Sequence, residues 1–109
     1  YGTMGGEGQP QTQAALFTRY AMFGVPLQQA VTAPRWLLGR TWGSNSHSLK
    51  LESRFDAGVL ARLEQAGHEV ERVAPFTSMM GHAGGVVRHA NGLFEGAADP
   101  RSDGCVAAF

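Results

Sequence analysis

The residues most suited to chemistry stand near the front of the chain, where four glycines occur within eight positions. Residues 2–9 read Gly-Thr-Met-Gly-Gly-Glu-Gly-Gln, and Pro10 follows, a residue that fits the first turn of a helix. In such a turn the backbone N–H groups are free to point outward, and the helix N-terminus adds positive potential. The turn therefore suits an anion: a phosphate, a carboxylate or a developing oxyanion. A tight turn that only lets two elements pack together has the same composition, and this alternative stays open.

The two familiar phosphate motifs fit these glycines poorly. A P-loop needs Lys and then Ser or Thr after its last glycine, whereas Gln9 and Pro10 follow Gly8. The dinucleotide fingerprint GxGxxG fails as well, because Gln11 stands where its third glycine belongs. A carboxylate or an oxyanion is the better match.

Four histidines, His47, His68, His82 and His89, raise the question of a metal site. Their spacing matches no zinc pattern, and Cys105 is the single cysteine. We expect His68 and His89 on the surface, beside turns. His82 lies in a second glycine cluster and is the one we keep as a candidate. We predict neither a metal ion nor a cofactor.

The sequence offers no convincing nucleophile. Thr3 and Ser102 have no neighbouring base, and no GxSxG elbow is present. Cys105 is interpreted as a small buried apolar residue. For Asp99-Pro-Arg101 we favour an internal salt bridge that shapes a turn over a catalytic pair. Trp36 and Trp42 are expected to be core or interface aromatics.

The amino-acid composition limits the classes of partner that the chain is expected to bind. Nine basic residues balance nine acidic ones, which argues against nucleic acid and against electrostatic attachment to a membrane. Apolar residues make up 43% of the 109 residues, enough for one small domain with a core. The start at Tyr1 rather than Met is interpreted as a cut. The compartment stays open, with the cytoplasm slightly favoured over the periplasm.

The elements that must position these residues alternate between helix and strand. We predict a helix over 11–23 that is apolar nearly all round and therefore covered, and a shorter helix over 26–31. A short strand over 35–38 and a half-buried strand over 48–52 follow, with Lys50 facing outward. A helix capped by Asp56 and ended by Gly67, a strand over 68–73, and a hairpin around Asn91-Gly92 complete an α+β pattern.

Four of these segments resemble the gamma-glutamyltranspeptidase family. They are the glycine turn 2–11, the Ala-Val-x-Ala-Pro-Arg element 30–35, the strand–helix–strand that contains Leu51-Glu52 and 67–70, and the Gly-Ala-x-Asp-Pro-Arg element 96–101. They occur in the family's order and span essentially the whole chain.

The resemblance implies an N-terminal nucleophile hydrolase with a four-layer αββα sandwich. Residues 1–109 correspond to the C-terminal portion of its small subunit, downstream of the threonine that autoprocessing exposes. Gly5 and Gly6 match the paired glycines whose amides form the oxyanion hole, and the Asp-Pro-Arg element is carried over as structural. The implied partners are the large subunit, the remainder of the small subunit and a small-molecule amide substrate.

Two positions depart from the gamma-glutamyl-transferring members. Met4 stands where they usually have proline, and Glu7 where they commonly have Ser or Asp. The run Gly-Gly-Glu-Gly-Gln-Pro-Gln-Thr-Gln is more similar to the bacterial branch that includes oxamate amidohydrolase. The expected function is therefore amide cleavage or acyl transfer by the intact protein, with the fragment alone inactive. A non-catalytic anion-binding domain is the alternative from a different class.

Overall fold

The computed structural model describes residues 1–41, 43 and 45–109. Trp42, expected to be a core or interface aromatic, lies outside the described residues. The described elements run along the chain as β1 (Gly2–Met4), α1 (Gln9–Phe17), α2 (Leu27–Thr32), β2 (Trp36–Leu38), β3 (Leu49–Glu52), α3 (Ala57–Gln65), β4 (Val70–Val73), β5 (His82–Arg88) and β6 (Phe94–Ala98). Helix and strand are mixed, as the α+β prediction requires.

The strands form two three-stranded sheets. The first has the order β1-β5-β6 and is antiparallel throughout. The second has the order β2-β3-β4, in which β2 and β3 are antiparallel while β3 and β4 are parallel and joined through α3. Among the described helices, none is long and apolar enough to cross a lipid bilayer.

The main core lies between the first sheet and the helices α1 and α2. Small residues on the inner face of the sheet, Ala83 and Ala97, let the helices approach closely. Against them pack the buried aliphatic side chains of the helices, Leu16, Leu27 and Val31.

The hairpin and capping predictions are confirmed. The strands β5 and β6 flank Asn91-Gly92, and the chain reverses with Gly92 at a φ of +87°. The Asp56 carboxylate accepts a hydrogen bond from the Gly58 amide at 2.8 Å, which caps α3. Gly67 ends that helix with a φ of +92°, a conformation that favours glycine.

Three expectations were wrong. The helix over 11–23 is covered on one side only: α1 ends at Phe17, the next turn widens through Met22, and Phe17, Met22 and Phe23 are exposed. The reason is that the first sheet contacts a single face of the helix. The strand β3 is buried at all four positions, including Lys50, because its charged side chains have partners inside the fold: Gly39 O and Ser46 for Lys50, and Arg101 for Glu52. Cys105 is exposed, since residues 103–109 run along the surface.

Candidate active site

The glycine turn connects β1 to α1 and adopts backbone angles that favour glycine at two successive positions. Gly5 has a φ of +154° and Gly6 a φ of +56°. The hydrogen bonds that close the turn are accepted by its carbonyls, Gly5 O from the Gly8 amide at 3.1 Å and Gly6 O from the Gln9 amide. The Gly5 and Gly6 amides are the donors of neither bond. Gly6 is exposed, whereas Gly5 is buried beneath the contact with Gly81.

Gly81, from the second glycine cluster, lies directly against this turn. A Cβ added at Gly5 would come 2.9 Å from the Gly81 Cα, and a Cβ added at Gly81 would collide with the Met4 carbonyl oxygen. Gly81 also has a φ of +70°. Two backbones therefore touch here with no room for a side chain on either, and the position of one fixes the position of the other.

Arg35 binds the backbone of the Gly81 segment through its guanidinium group. Its Nη1 donates to the Gly81 carbonyl at 3.0 Å, and its Nη2 donates to the Val31 carbonyl at the same distance. The same Nη2 lies 2.6 Å from Asp99 Oδ2, with side-chain exposures of 1% and 0%. A buried guanidinium thus ties the end of α2 to the segment that contacts the glycine turn.

Asp99 and Arg101 complete a buried ion cluster with Arg35 and Glu52. Asp99 Oδ2 accepts the Ala83 amide at 2.7 Å, and Asp99 Oδ1 accepts Arg101 Nη1 at 3.0 Å. Arg101 donates Nε and Nη2 to the two Glu52 oxygens at 2.7 and 2.6 Å, a bidentate pair. Within the cluster, two carboxylates face two guanidiniums, so burial leaves no net charge unpaired. The prediction that Asp-Pro-Arg forms an internal salt bridge is confirmed.

The surroundings shift the pKa values of the two buried arginines in opposite directions. Burial lowers the pKa of Arg35, and repulsion from the Arg101 cation lowers it further, against the attraction of Asp99. Burial also acts to lower the pKa of Arg101, but its hydrogen bonds and attraction to Glu52, joined by Asp99, raise the pKa overall.

A cavity of about 650 Å³ opens beside the glycine turn. Its lining includes Met4, which precedes the turn, and Thr41, whose Oγ1 would lie 3.9 Å from a Cβ on Gly6. Lys50 and His82 also line this cavity. The cavity is mainly apolar, with the Thr41 side chain on the side next to Gly6, and it is large enough to hold a small organic molecule.

The histidines are dispersed over the described chain. His47, His68 and His89 are exposed, as expected for the last two. His82 lies opposite Met4 in the strand register, and its Nε2 is buried without a hydrogen-bond partner. No three His, Cys, Asp or Glu side chains come together as metal ligands among the described residues. Thr3 receives a hydrogen bond from the Gln13 amide at 3.1 Å, and the Ser102 hydroxyl donates to the Asp99 carbonyl.

Arg35, Glu52 and Gly81 were not assigned a place at the site from the sequence. The signal for Gly81 was the glycine cluster 81–85, which drew attention to His82 instead of the backbone. Arg35 and Glu52 stood inside recognised motifs, yet a motif gives no indication of which distant carboxylate pairs with which arginine. Long-range pairing of this kind requires the folded chain.

The sequence comparisons support a single family. The gamma-glutamyltranspeptidase family model matches residues 1–109. The chain is 64% identical over all its residues to the protein named oxamate amidohydrolase proenzyme of Klebsiella pneumoniae, and 46% identical over 104 residues to the glutathione hydrolase-like YwrD proenzyme of Bacillus subtilis. It spans 21% and 20% of these two relatives, about a fifth of their length.

Solved structures agree with this assignment. Cephalosporin acylase from Bacillus halodurans superposes with a TM-score of 0.86 at 30% identity, covering 99% of this chain and 19% of that one. A gamma-glutamyltranspeptidase from Pseudomonas nitroreducens, in complex with L-DON, gives 0.79 at 21% identity, covering 99% of this chain and 53% of that one, and shows the shared fold. With its family model matched from end to end, this chain belongs to the gamma-glutamyltranspeptidase family of N-terminal nucleophile hydrolases.

Proposed function

We propose that this chain supplies the oxyanion-binding turn of an amide-cleaving enzyme whose nucleophile is a threonine elsewhere in a longer polypeptide. The observation that carries the proposal is the pair Gly5-Gly6, whose amides take no part in closing their own turn, and whose exposed member, Gly6, lies beside Thr41 in the wall of a cavity. Donors that are held in place before reaction are what a developing oxyanion requires.

The chemistry follows from that arrangement. The threonine hydroxyl oxygen bonds to the amide carbon, and its proton passes to the threonine's own α-amino group. The carbonyl oxygen becomes an anion that accepts hydrogen bonds from the Gly5 and Gly6 amides. Collapse of this intermediate breaks the C–N bond, and the α-ammonium group returns the proton to the departing amine. Water, or an acceptor amine, then releases the acyl group.

For the substrate we favour a small amide with a carboxylate beside the scissile carbonyl, as in oxamate. Support comes from the 64% identity to a protein named oxamate amidohydrolase proenzyme, which exceeds the 46% to the glutathione hydrolase-like relative. A gamma-glutamyl amide is the second candidate. A non-catalytic domain that binds an anion at the turn is the alternative from another class.

The partners of the turn are proposed to be the rest of the same precursor: its large subunit and the remainder of its small subunit. The face of the first sheet that points away from α1 and α2 carries Val86 and Phe94, which are 67% and 71% exposed. Arg88 lies opposite Phe94 on the same face. Exposed apolar side chains on one sheet face suit a further layer of protein, and a charged neighbour suits the edge of such an interface.

Two measurements test the proposal on the longest natural polypeptide that carries this chain. Intact mass and N-terminal sequencing should show a split product that begins with threonine upstream of Tyr1. A single uncut chain with no amidase activity would favour the anion-binding alternative instead.

The second measurement compares two substitutions at one position. Gly6→Pro removes the N–H donor and cannot adopt the φ of +56°, so kcat should fall by at least about 100-fold. Gly6→Ala keeps the donor and meets only Thr41 Oγ1 at 3.9 Å, and its cost should be the roughly 1–2 kcal/mol of a left-handed alanine. Equal turnover by the two variants would count against an oxyanion role.

A further inference from the structure

We infer that Arg35 is a positioning residue for the oxyanion turn and that it acts through the backbone of Gly81. The inference rests on the proposed role of the Gly5 and Gly6 amides. It adds that their location is fixed from outside the turn, by a guanidinium that does not reach the reacting atoms.

The first step is the contact between the two backbones. Gly81 fits so closely against Met4 and Gly5 that a Cβ on either glycine would overlap backbone atoms of the opposing segment. A Cβ on Gly5 would come 2.9 Å from the Gly81 Cα. Backbone atoms cannot rotate away as a side chain can, so any shift of Gly81 moves the turn with it.

The second step is what holds Gly81 in place. Its carbonyl accepts Arg35 Nη1 at 3.0 Å, and the preceding carbonyl, Met80 O, accepts the Thr12 hydroxyl at 3.3 Å. The guanidinium is itself fixed by Asp99 at 2.6 Å and by the Val31 carbonyl at 3.0 Å. Its planar fork satisfies these acceptors in one rigid geometry, which the single ammonium group of lysine does not reproduce.

The third step is the sensitivity of catalysis to this geometry. Oxyanion donors work only within about 2.7–3.1 Å of the charged oxygen. A displacement of about 1 Å costs on the order of 100-fold in rate. A residue that sets the position of Gly81 therefore sets kcat without touching substrate.

The direct test is Gly81→Ala, with Gly24→Ala as its matched control. Both positions have a similar positive φ, +70° and +65°, but a Cβ on Gly24 meets nothing within 4 Å. In the mature, processed protein we expect Gly81→Ala to lower kcat about 100-fold with KM within about twofold, whereas Gly24→Ala leaves both within about twofold.

A second readout separates positioning from loss of folded protein. The probe is a boronic acid in which boron replaces the scissile carbonyl carbon of the substrate. It forms a tetrahedral adduct with the threonine hydroxyl, and a boron-bound oxygen then takes the place of the oxyanion. Its inhibition constant should rise about as much as kcat falls in Gly81→Ala. Partial unfolding would reduce the amount of active enzyme and leave this constant unchanged.

Arg35→Lys should reproduce the effect in milder form, with a kcat loss of about 10-fold or more and a parallel loss of boronate affinity. Its control is Arg19→Lys, because Arg19 also binds a backbone carbonyl near the end of α2, Pro34 O at 2.7 Å, without contacting Gly81. Unchanged boronate affinity in both Gly81→Ala and Arg35→Lys would overturn the inference while leaving an active enzyme. An inactive wild type that binds no boronate would instead overturn the proposed function.

Discussion

Arg101 binds Glu52 through two parallel hydrogen bonds of 2.7 and 2.6 Å, although 49 residues separate the two along the chain. Both side chains are fully buried. The pair joins β3 of the second sheet to the turn that follows β6 of the first sheet, and so links the two sheets through a buried ion pair.

Replacement of Glu52 by Gln should therefore be severe. The substitution removes one of the two carboxylates that face the buried Arg101 guanidinium and leaves Asp99 Oδ1, at 3.0 Å, as its remaining counter-charge. Removing one partner of a buried pair costs about 3–5 kcal/mol. Urea unfolding of the mature protein measures this loss. The control is Glu95→Gln, whose partner His89 lies 3.0 Å away with both side chains about 40% exposed, at 42% and 37%. That variant should lose about 1 kcal/mol or less, and equal losses in the two variants would contradict the prediction.

Alanine substitutions should rank the glycines of the turn. Gly5→Ala places its Cβ 2.9 Å from the Gly81 Cα, so the backbone must shift and kcat should fall by about 100-fold. Gly8→Ala meets the Leu37 Cδ1 at 2.7 Å, a side-chain methyl group that can move, and Gly8 has an ordinary helical φ of −76°. Its kcat should stay within about threefold of wild type. Steady-state kinetics on processed enzyme decide the ranking, and a reversed order would be incompatible with the close backbone contact.

Thr12→Val tests the second tether on the Gly81 segment. It removes the buried hydrogen bond from the Thr12 hydroxyl to the Met80 carbonyl, at 3.3 Å, and should cost about 1 kcal/mol of unfolding free energy. Thr18→Val is the matched control, because the Thr18 hydroxyl bonds within its own helix, to Ala14 O at 2.8 Å. That variant should lose less than about 0.5 kcal/mol. Similar values for the two threonines would mean that the long-range bond contributes nothing beyond local helix stability.

The apolar outer face of the first sheet gives a prediction about assembly. Phe94→Arg places a charge on the face proposed to meet the rest of the precursor, so the yield of processed, soluble enzyme should fall at least about fivefold, since burying an unpaired charge is costly. Leu93→Arg is the control, because Leu93 has a similar exposure, 65% against 71%, but precedes the strand. Quantitative gel analysis of processed subunits measures both yields. Comparable yields would indicate that this face stays in contact with water.

The sequence was sufficient for features set by local chemistry. Proline at the start of α1, Asp56 at the start of α3 and the Asn91-Gly92 turn each act within a few residues, and each was located correctly. The glycine turn was located too, since four glycines before a helix are unusual at any distance from the rest of the fold. Its role in stabilising an oxyanion stays a prediction.

Features that depend on contacts between separate segments of the chain were not predicted from the sequence. The strand β1 has only three residues, one of them glycine, and exists because β5 pairs with it nearly 80 residues later. Lys50 was expected to face water, whereas it is buried between β2 and β4, where its ammonium group donates to Gly39 O at 3.1 Å and lies 3.7 Å from the Glu71 carboxylate. The contact between Gly5 and Gly81 had no local signature, because a glycine beside a glycine looks the same whether or not another backbone passes over it.

The ion cluster around Arg35 also constrains the order in which parts of the chain can fold, because the glycine turn depends on contacts from distant residues. Its anchor, Asp99, lies near the opposite end of the described chain from Gly5, so a nascent polypeptide can form the helices α1 and α2 well before the turn acquires its final geometry. The Arg35–Asp99 and Gly5–Gly81 contacts close loops of about 65 and 75 residues, and contacts of such sequence separation are slow to form. The backbone of residues 5 and 6 thus reaches its final geometry only once residues 99–101 have been made and have docked, which couples the shape of the turn to the folding of a distant segment.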